Sequence, residues 1–316
     1  MGDSDAISSS VAPEIAAYYG GGAELGRLFQ GRSQLERART ESLLARYLPP
    51  PPATVLDIGG GPGVYARWLA ERGYQVHLID PVPLHVEEAR HAAVESGHSL
   101  ASASIGDARR LEQDKSSADA VLLMGPLYHL TERDDRLRAL REAARVLRPG
   151  GVLVAVAISR FASLCDGLLS GFLGDPGAVE IVARDLATGQ HRNLARQPDY
   201  FTTAYFHRPE ELPVEIDEAG LAVTDLVSIE GPSWWMVPDF EARWQDPSWR
   251  ERLLAASAAV EREPSLLGLG PHLMAAARAA ADPQETYSQS EATIGANRDR
   301  SADAGGLLEP ADHDRQ

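Results

Sequence analysis

Between Val55 and Pro81 the chain reads VLDIGGGPGVYARWLAERGYQVHLIDP, with four glycines among five positions and a lone aspartate closing the second apolar run. Asp57, Gly59, Gly61 and Gly63 spell D-x-G-x-G-x-G, with Gly60 inside the run. Glycines at a strand-to-helix turn let a ligand approach the backbone and the amides of the helix start. Asp80 stands about 20 residues further on, where a carboxylate accepts both hydroxyls of a ribose. Its other use is to cap the next helix. The same residues hold a rival pattern, since Gly61, Gly63 and Ala66 satisfy the dinucleotide fingerprint G-x-G-x-x-A. A negative charge at Asp57, two residues ahead of the glycines, suits a zwitterionic ligand better than a diphosphate. GDA, Gly106 to Ala108, brings an aspartate able to accept from an adenine amino group. LLMGPLYHL, Leu122 to Leu130, makes a Gly-Pro turn and then presents an aromatic ring and a histidine.

Few side chains offer proton chemistry. His129 titrates in the range of a general base, or else bonds backbone at a helix start. Tyr128 beside it positions a substrate or packs in the core. Tyr18 and Tyr19 precede the glycine loop on a helix, where adjacent residues point different ways and one must leave the core. The run Tyr200, Phe201, Tyr205, Phe206 and His207, with the pair Trp234 and Trp235, makes an amphipathic wall suited to a flat substrate. No HxxxH, paired-cysteine site or carboxylate cluster has metal-ligand spacing, so no metal is expected. Cys165 is the only cysteine and lies in an apolar stretch, where a thiol is more often inert.

The scaffold for these groups begins at Ala53. ATVLDI, QVHLID, SASIGDA, DAVLLM and VLVAVAIS are strand runs, and GVYARWLAERG, LHVEEARHAAVES and ERDDRLRALREAARVLRPGG are the helical stretches among them. Alternating strands and helices imply right-handed crossovers and a parallel sheet covered on both faces. Upstream, Ser33 and Glu36 have the spacing of a capping box for SQLERARTESLLARYL, which the prolines 49–52 end. Residues 161–206 have no clear period and read as a lid. RPEELPVEIDEAG, LAVTDLVSIEG, DPSWRERLLAASAAVEREPS and PHLMAAARA then resume as helix, strand, helix and strand. The predicted divisions are an N-terminal helical cap (1–52), a ligand-binding core (53–160), a lid insertion (161–208), the C-terminal part of the same fold (209–281) and a disordered tail (282–316).

A formal charge of −16 over 316 residues leaves no basic stripe for counterion release, which argues against nucleic acid and anionic membrane surfaces as partners. The first residues lack the basic flank and apolar core of a signal peptide, and no apolar run reaches bilayer length. A cytoplasmic location is expected. The oligomeric state has no signature in the sequence.

In the order of its motifs, the region from Ala53 to Ala281 resembles the class I S-adenosylmethionine-dependent methyltransferases. It looks most like the bacterial small-molecule enzymes with a GPLYHL-type turn and an N-terminal tyrosine pair. The resemblance implies an α/β, Rossmann-like sheet of seven strands with helices on both faces and its last strand antiparallel. It implies that Gly59, Gly61 and Gly63 back the methionine part of S-adenosyl-L-methionine, that Asp57 organises the turn near its amino-acid end and that Asp80 holds the ribose, with Gly60 and Pro81 also among the cofactor-binding residues. Gly106, Asp107 and Ala108 would meet the adenine, with Met124 and Gly125 flanking the sulfonium. Tyr19 is expected to cap this cofactor, and Arg39 to pair with its carboxylate or to lie solvated on a helix face. Pro81-Val82 departs from the pattern in offering no obvious surface for adenine stacking. The implied activity is methyl transfer to oxygen, nitrogen or carbon of a small, partly aromatic acceptor, an indole carbon included, in specialised metabolism. Two other readings stand: an NAD(P)-dependent oxidoreductase using G-x-G-x-x-A, and a non-catalytic module that binds the cofactor or its product.

Overall fold

In the computed structural model the described residues are 12–22, 24–194, 197 and 200–281, so the expected tail at 282–316 lies outside them. One compact unit reaches Ala279. It opens with α1 (Pro13–Gly20) and α2 (Ser33–Tyr47). β1 (Thr54–Ile58), α3 (Val64–Ala70), β2 (Gln75–Asp80), α4 (Pro83–Ser96), β3 (Ser102–Ile105) and β4 (Ala118–Leu123) follow. Next come α5 (Pro126–His129), α6 (Arg133–Val146), β5 (Leu147–Ser159), α7 (Ala162–Ser170), α8 (Pro176–Thr188), β6 (Gln190–His191) and β7 (Ala204–His207). The chain closes with α9 (Glu211–Glu218), β8 (Ala222–Ser228), α10 (Ser233–Met236), α11 (Phe240–Gln245), α12 (Pro247–Ala259) and β9 (His272–Arg278). No described helix is long and apolar enough to cross a membrane.

Strands β3, β2, β1, β4 and β5 lie side by side and parallel. β9 runs antiparallel along β5, from Val152 opposite Arg278 to Ile158 opposite His272, and β8 pairs antiparallel with β9. The period of two sorts the core onto two faces. Leu56, Val121, Leu123 and Leu153 pack with Leu140 of α6 and Leu212 of α9, whereas Val55, Ala120, Leu122 and Val154 pack with Leu43, Leu69 and Val86 of α2, α3 and α4. Burial on both faces is why these strands read as near-continuous apolar runs.

Two expectations are corrected here. The sheet has nine strands among the described residues, not seven, because residues 161–208, expected as a lid, contribute β6 and β7, and β7 continues parallel to the last residues of β5 at Ile158 and Ser159. This stretch is therefore regular. Its α8 carries ordinary stop and start signals: Asp175 caps the helix by accepting from Gly177 N–H at 2.9 Å, Pro176 is its first residue, and Gly189 ends it at φ +75°. The second correction concerns Ser33 and Glu36, which form no capping box. Glu36 turns inward and accepts from Arg27 Nη1 and Nη2 at 2.7 and 3.0 Å, a charge-assisted fork stronger than a neutral cap.

Candidate active site

The carboxyl ends of β1, β2, β3 and β4 open on one edge of the sheet, where the strand order reverses between β1 and β4. Such a switch point is where open α/β sheets bind ligands. A cavity of about 300 Å³ lies there, lined by the expected Asp57, Gly59, Gly60, Gly61, Asp80, Pro81, Gly106, Asp107, Ala108, Met124, Gly125, Tyr128, His129 and Tyr19. Gly63 is absent from the lining: a Cβ at this position would stand 2.9 Å from Ala89 Cβ, so the glycine serves helix packing. Gly59 and Gly60 are likewise bare because Pro126 and the Asp57 carboxylate press on them, each 2.6 Å from an added Cβ. Gly61, at φ +57° with nothing near, is the open position of the loop.

Asp80 ties loop to strand. Its Oδ2 accepts from Gly61 N–H at 2.9 Å, while Oδ1 accepts from Val82 N–H at 2.9 Å and from His85 Nδ1 at 3.1 Å. A carboxylate has about four acceptor sites, so room for one further donor remains. His85 was not foreseen. It lines the same cavity with its Nε2 buried and unpartnered, and Val82 beside it packs on Ile15 and Tyr19 of α1. Asp107 receives the guanidinium of Arg109, which also reaches Asp135 at 2.8 Å.

Asp57 is the decisive observation for a ligand. The residue is 1% exposed, and neither carboxyl oxygen has a hydrogen-bond partner among the described residues. Burial, then the neighbouring charge of Asp80, pushes its pKa up to about 7. A buried, unpartnered anion facing a cavity fits a cationic group and opposes a diphosphate. S-adenosylmethionine would meet this requirement with its ammonium, and a ribose hydroxyl would fill the one acceptor site left on Asp80. The residues present fit the cofactor.

His129 is bonded at both nitrogens. Nδ1 faces the Thr203 carbonyl at 3.2 Å, which only accepts, so Nε2 accepts from the Tyr19 hydroxyl at 2.6 Å. Burial lowers its pKa to about 4. The expected general base is thus a neutral imidazole that anchors Tyr19, because desolvation outweighs the bond to the Thr203 carbonyl and the charge of Asp80. Tyr19 in turn brings α1 over the cavity, and Tyr18 meets Phe201 of the lid edge to face at 5.7 Å. Glu14 Oε1 accepts from Thr203 Oγ1 at 3.0 Å, a second stitch between α1 and lid.

A second cavity, about 400 Å³, adjoins the first and shares Tyr19, Glu24, Arg27, Tyr128 and His272 with it. Tyr18, Tyr200, Phe201, Phe206, Trp234 and Trp235 line it as expected. Tyr205 and His207 do not. Arg136 lies 3.8 Å over the Tyr205 ring, and His207, fully buried, bonds Glu215 at 3.4 Å, so both belong to a charge network that joins β7 to α6 and α9. Arg39 is also corrected: it lines neither cavity, donates to the Ile229 carbonyl at 3.0 Å and pairs with Glu261.

Glu24, Arg27, Glu230 and His272 were not singled out by sequence, and Glu36 only as half of a capping box. Glu36, Glu230 and His272, distant along the chain, bring one ligand atom each to within 4.8 Å of one another, a proximity that spacing could not show. Part of the cluster is already engaged: Arg27 grips Glu36, and Glu230 Oε1 lies 2.6 Å from His272 Nδ1. The only sequence signals were polar residues on apolar strands, Glu230 closing LVSIE and His272 opening HLMAAA.

A family described as "Methyltransferase domain" matches residues 55–151. An uncharacterized methyltransferase of Mycobacterium tuberculosis is 35% identical over 52% of this chain, which spans 59% of that relative's length. A ubiquinone biosynthesis O-methyltransferase of Xanthomonas axonopodis is 30% identical, with 63% of this chain covering 75% of the relative. Among solved structures, an S-adenosylmethionine-dependent methyltransferase of Methanosarcina mazei superposes with a TM-score of 0.53 at 19% identity, over 76% of this chain and 98% of its own, and so shares the fold. A sheet with its ligand edge at the β1/β4 switch point, a donor cavity fitted to a zwitterionic nucleoside and these relatives lead to one assignment: the chain belongs to the class I S-adenosylmethionine-dependent methyltransferases.

Proposed function

We propose that the chain methylates a small, flat acceptor held in the second cavity. The observation that carries this reading is the pair of adjoining cavities, one built for the cofactor and one walled by aromatic rings, meeting at Tyr19, Glu24, Arg27, Tyr128 and His272. Rings offer apolar faces to a flat molecule, while the charged groups at the junction meet its polar edge. When bound, the cofactor supplies the methyl group and a leaving group that needs no acid from the protein. The chain's share is alignment and exclusion of water. Asp57 and Asp80 hold the ends of the donor, the Tyr19–His129 bond fixes the wall between donor and acceptor, and α1 with the lid covers both. The name of the Xanthomonas relative specifies O-methylation, so phenols come first in an acceptor screen, followed by carboxylic acids and indoles, read by S-adenosylhomocysteine release. Turnover of none of them by a chain that binds S-adenosylhomocysteine would favour the non-catalytic reading. The unpartnered Asp57 disfavours the nicotinamide alternative, and binding of NAD in preference to S-adenosylmethionine would reverse that judgement.

Replacing Asp80 with alanine is expected to weaken S-adenosylhomocysteine binding by about 1.5 to 3 kcal/mol, since the ribose loses a charged acceptor. The variant also frees Gly61 and Val82 N–H, so calorimetry is run well below its melting temperature. Equal affinity in the folded variant refutes the ribose assignment.

A further inference from the structure

We propose that His272, oriented by Glu230, takes the proton that the acceptor must lose, and that the acceptors are accordingly weak acids with an O–H or N–H group. The proposal rests on the methyltransferase reading above. His272 opens β9 beside Ile158 of β5, at the junction of the two cavities. Glu230 is fully buried and grips this residue twice, accepting from the His272 backbone N–H at 3.3 Å and from Nδ1 at 2.6 Å. Burial pushes the pKa of Glu230 up while His272 beside it opposes that rise; ionised, the carboxylate only accepts, so Nδ1 carries the hydrogen and Nε2 is the basic nitrogen. Nε2 has no partner among the described residues, and the side chain retains 17% exposure in a residue that lines both cavities.

The other imidazoles at the cavities are not available for this work. His129 is bonded at both nitrogens, and so is His191, to Asp185 and to the Phe201 carbonyl. His85 lines only the first cavity, and its Nε2 is sealed in the interior. The groups facing His272 set its basicity. Glu230 follows β8, Glu36 lies on α2, Arg27 precedes α2 with Glu24 bonded to it at 2.9 Å, and Tyr65 on α3 adds a buried hydroxyl. Burial disfavours the charged imidazole, but Glu230 and Glu36 outweigh it, and the pKa of His272 is raised, the opposite of His129. In the step itself the acceptor's O–H or N–H bond breaks and the proton passes to Nε2. The electron pair stays on the acceptor atom and forms its bond to the methyl carbon, while sulfur keeps the pair of the broken carbon–sulfur bond.

The test uses the full chain, a phenol and an indole identified in the acceptor screen, and two variants. His272→Gln is expected to lower kcat about 10²-fold or more, with S-adenosylhomocysteine affinity within about twofold of wild type, since a proton acceptor acts in the chemical step rather than in cofactor binding. Glu230→Gln removes the charge that raises His272, so the acid limb of the kcat–pH profile moves to lower pH. His129→Gln leaves that limb where it is. An imidazole NMR titration of the cofactor-free chain is expected to place His272 above His129. Wild-type kcat in a folded His272→Gln, or an unmoved limb in Glu230→Gln, overturns the proposal. So does activity abolished by a chelator and restored by a divalent cation, which would make Glu36, Glu230 and His272 a metal site. A wild-type chain that binds S-adenosylhomocysteine yet turns over no weak acid overturns the functional reading as well, whereas turnover that His272→Gln leaves intact sinks this proposal alone.

Discussion

Asp57→Asn is expected to stabilise the cofactor-free chain at pH 8 and to weaken its grip on the cofactor. The carboxyl is sealed from water without a hydrogen bond, and burial together with Asp80 pushes its pKa from 3.8 to about 7. A raised pKa means that the folded state holds the proton more tightly than the unfolded one. The stability this contributes is complete below the unfolded value and is lost as pH rises through about 7. At about 1.4 kcal/mol per pH unit, the loss by pH 8 is on the order of 4 kcal/mol. Asparagine carries no charge to bury, so the variant should melt at nearly the same temperature at pH 5 and pH 8, while wild type melts lower at pH 8. S-adenosylhomocysteine should restore wild type more than the variant, because its ammonium finds the carboxylate only in wild type, a difference of about 1.5 to 3 kcal/mol. Parallel pH curves for the two proteins would show that Asp57 is solvated and not poised for a cation.

The second large effect lies away from the cavities. Arg39 is 3% exposed and Glu261 2%, and the pair joins α2 to the turn after α12. Glu261 also receives Arg46 Nη1 at 2.6 Å and bonds Arg262. Burial alone would raise the pKa of Glu261, but Arg46 and Arg39 hold it below its ordinary value. Its contribution is therefore present above the unfolded value and fades as pH falls through the lowered one. Glu261→Ala leaves the Arg39 guanidinium buried with one backbone carbonyl, an expected loss of about 3 to 5 kcal/mol. Arg39→Met should lose less, since Glu261 keeps Arg46 and Arg262 and the apolar chain fills the space. Urea denaturation of both variants measures the asymmetry. Equal, small losses would mean that water reaches the pair. Calorimetry on folded Arg39→Met should show wild-type affinity for S-adenosylhomocysteine, whereas a large loss would return Arg39 to the cofactor site.

The parts of this protein legible in its sequence are those set by local physics. Apolar runs of five to seven residues between helical periods marked the strands β1, β2, β4 and β9, because burial on both faces demands them wherever the chain goes next. The glycine loop and Asp80 were likewise legible, as a turn that tight tolerates few alternatives and both halves lie within one strand–helix–strand unit. Even there the reason was partly wrong: all three of Gly59, Gly60 and Gly61 line the cavity, but Gly59, Gly60 and Gly63 are bare chiefly for the protein's own packing, and of the four only Gly61 has open space where a Cβ would stand. The lid hid its strands because two-residue and four-residue pairings leave almost no pattern. Only the tertiary structure could join Arg39 to Glu261, Glu36 to Glu230 and His272, or Tyr19 to His129, since each pair is separated by roughly a hundred residues or more and no local period encodes it. Proton affinity was the least legible property. His129 and His272 have the same side chain, yet one is pushed down by burial and bonded at both nitrogens, while the other is raised by two acids brought from distant parts of the chain. Desolvation and neighbouring charge belong to the folded state, so which imidazole can take a proton was decided by the fold and not by the residue type.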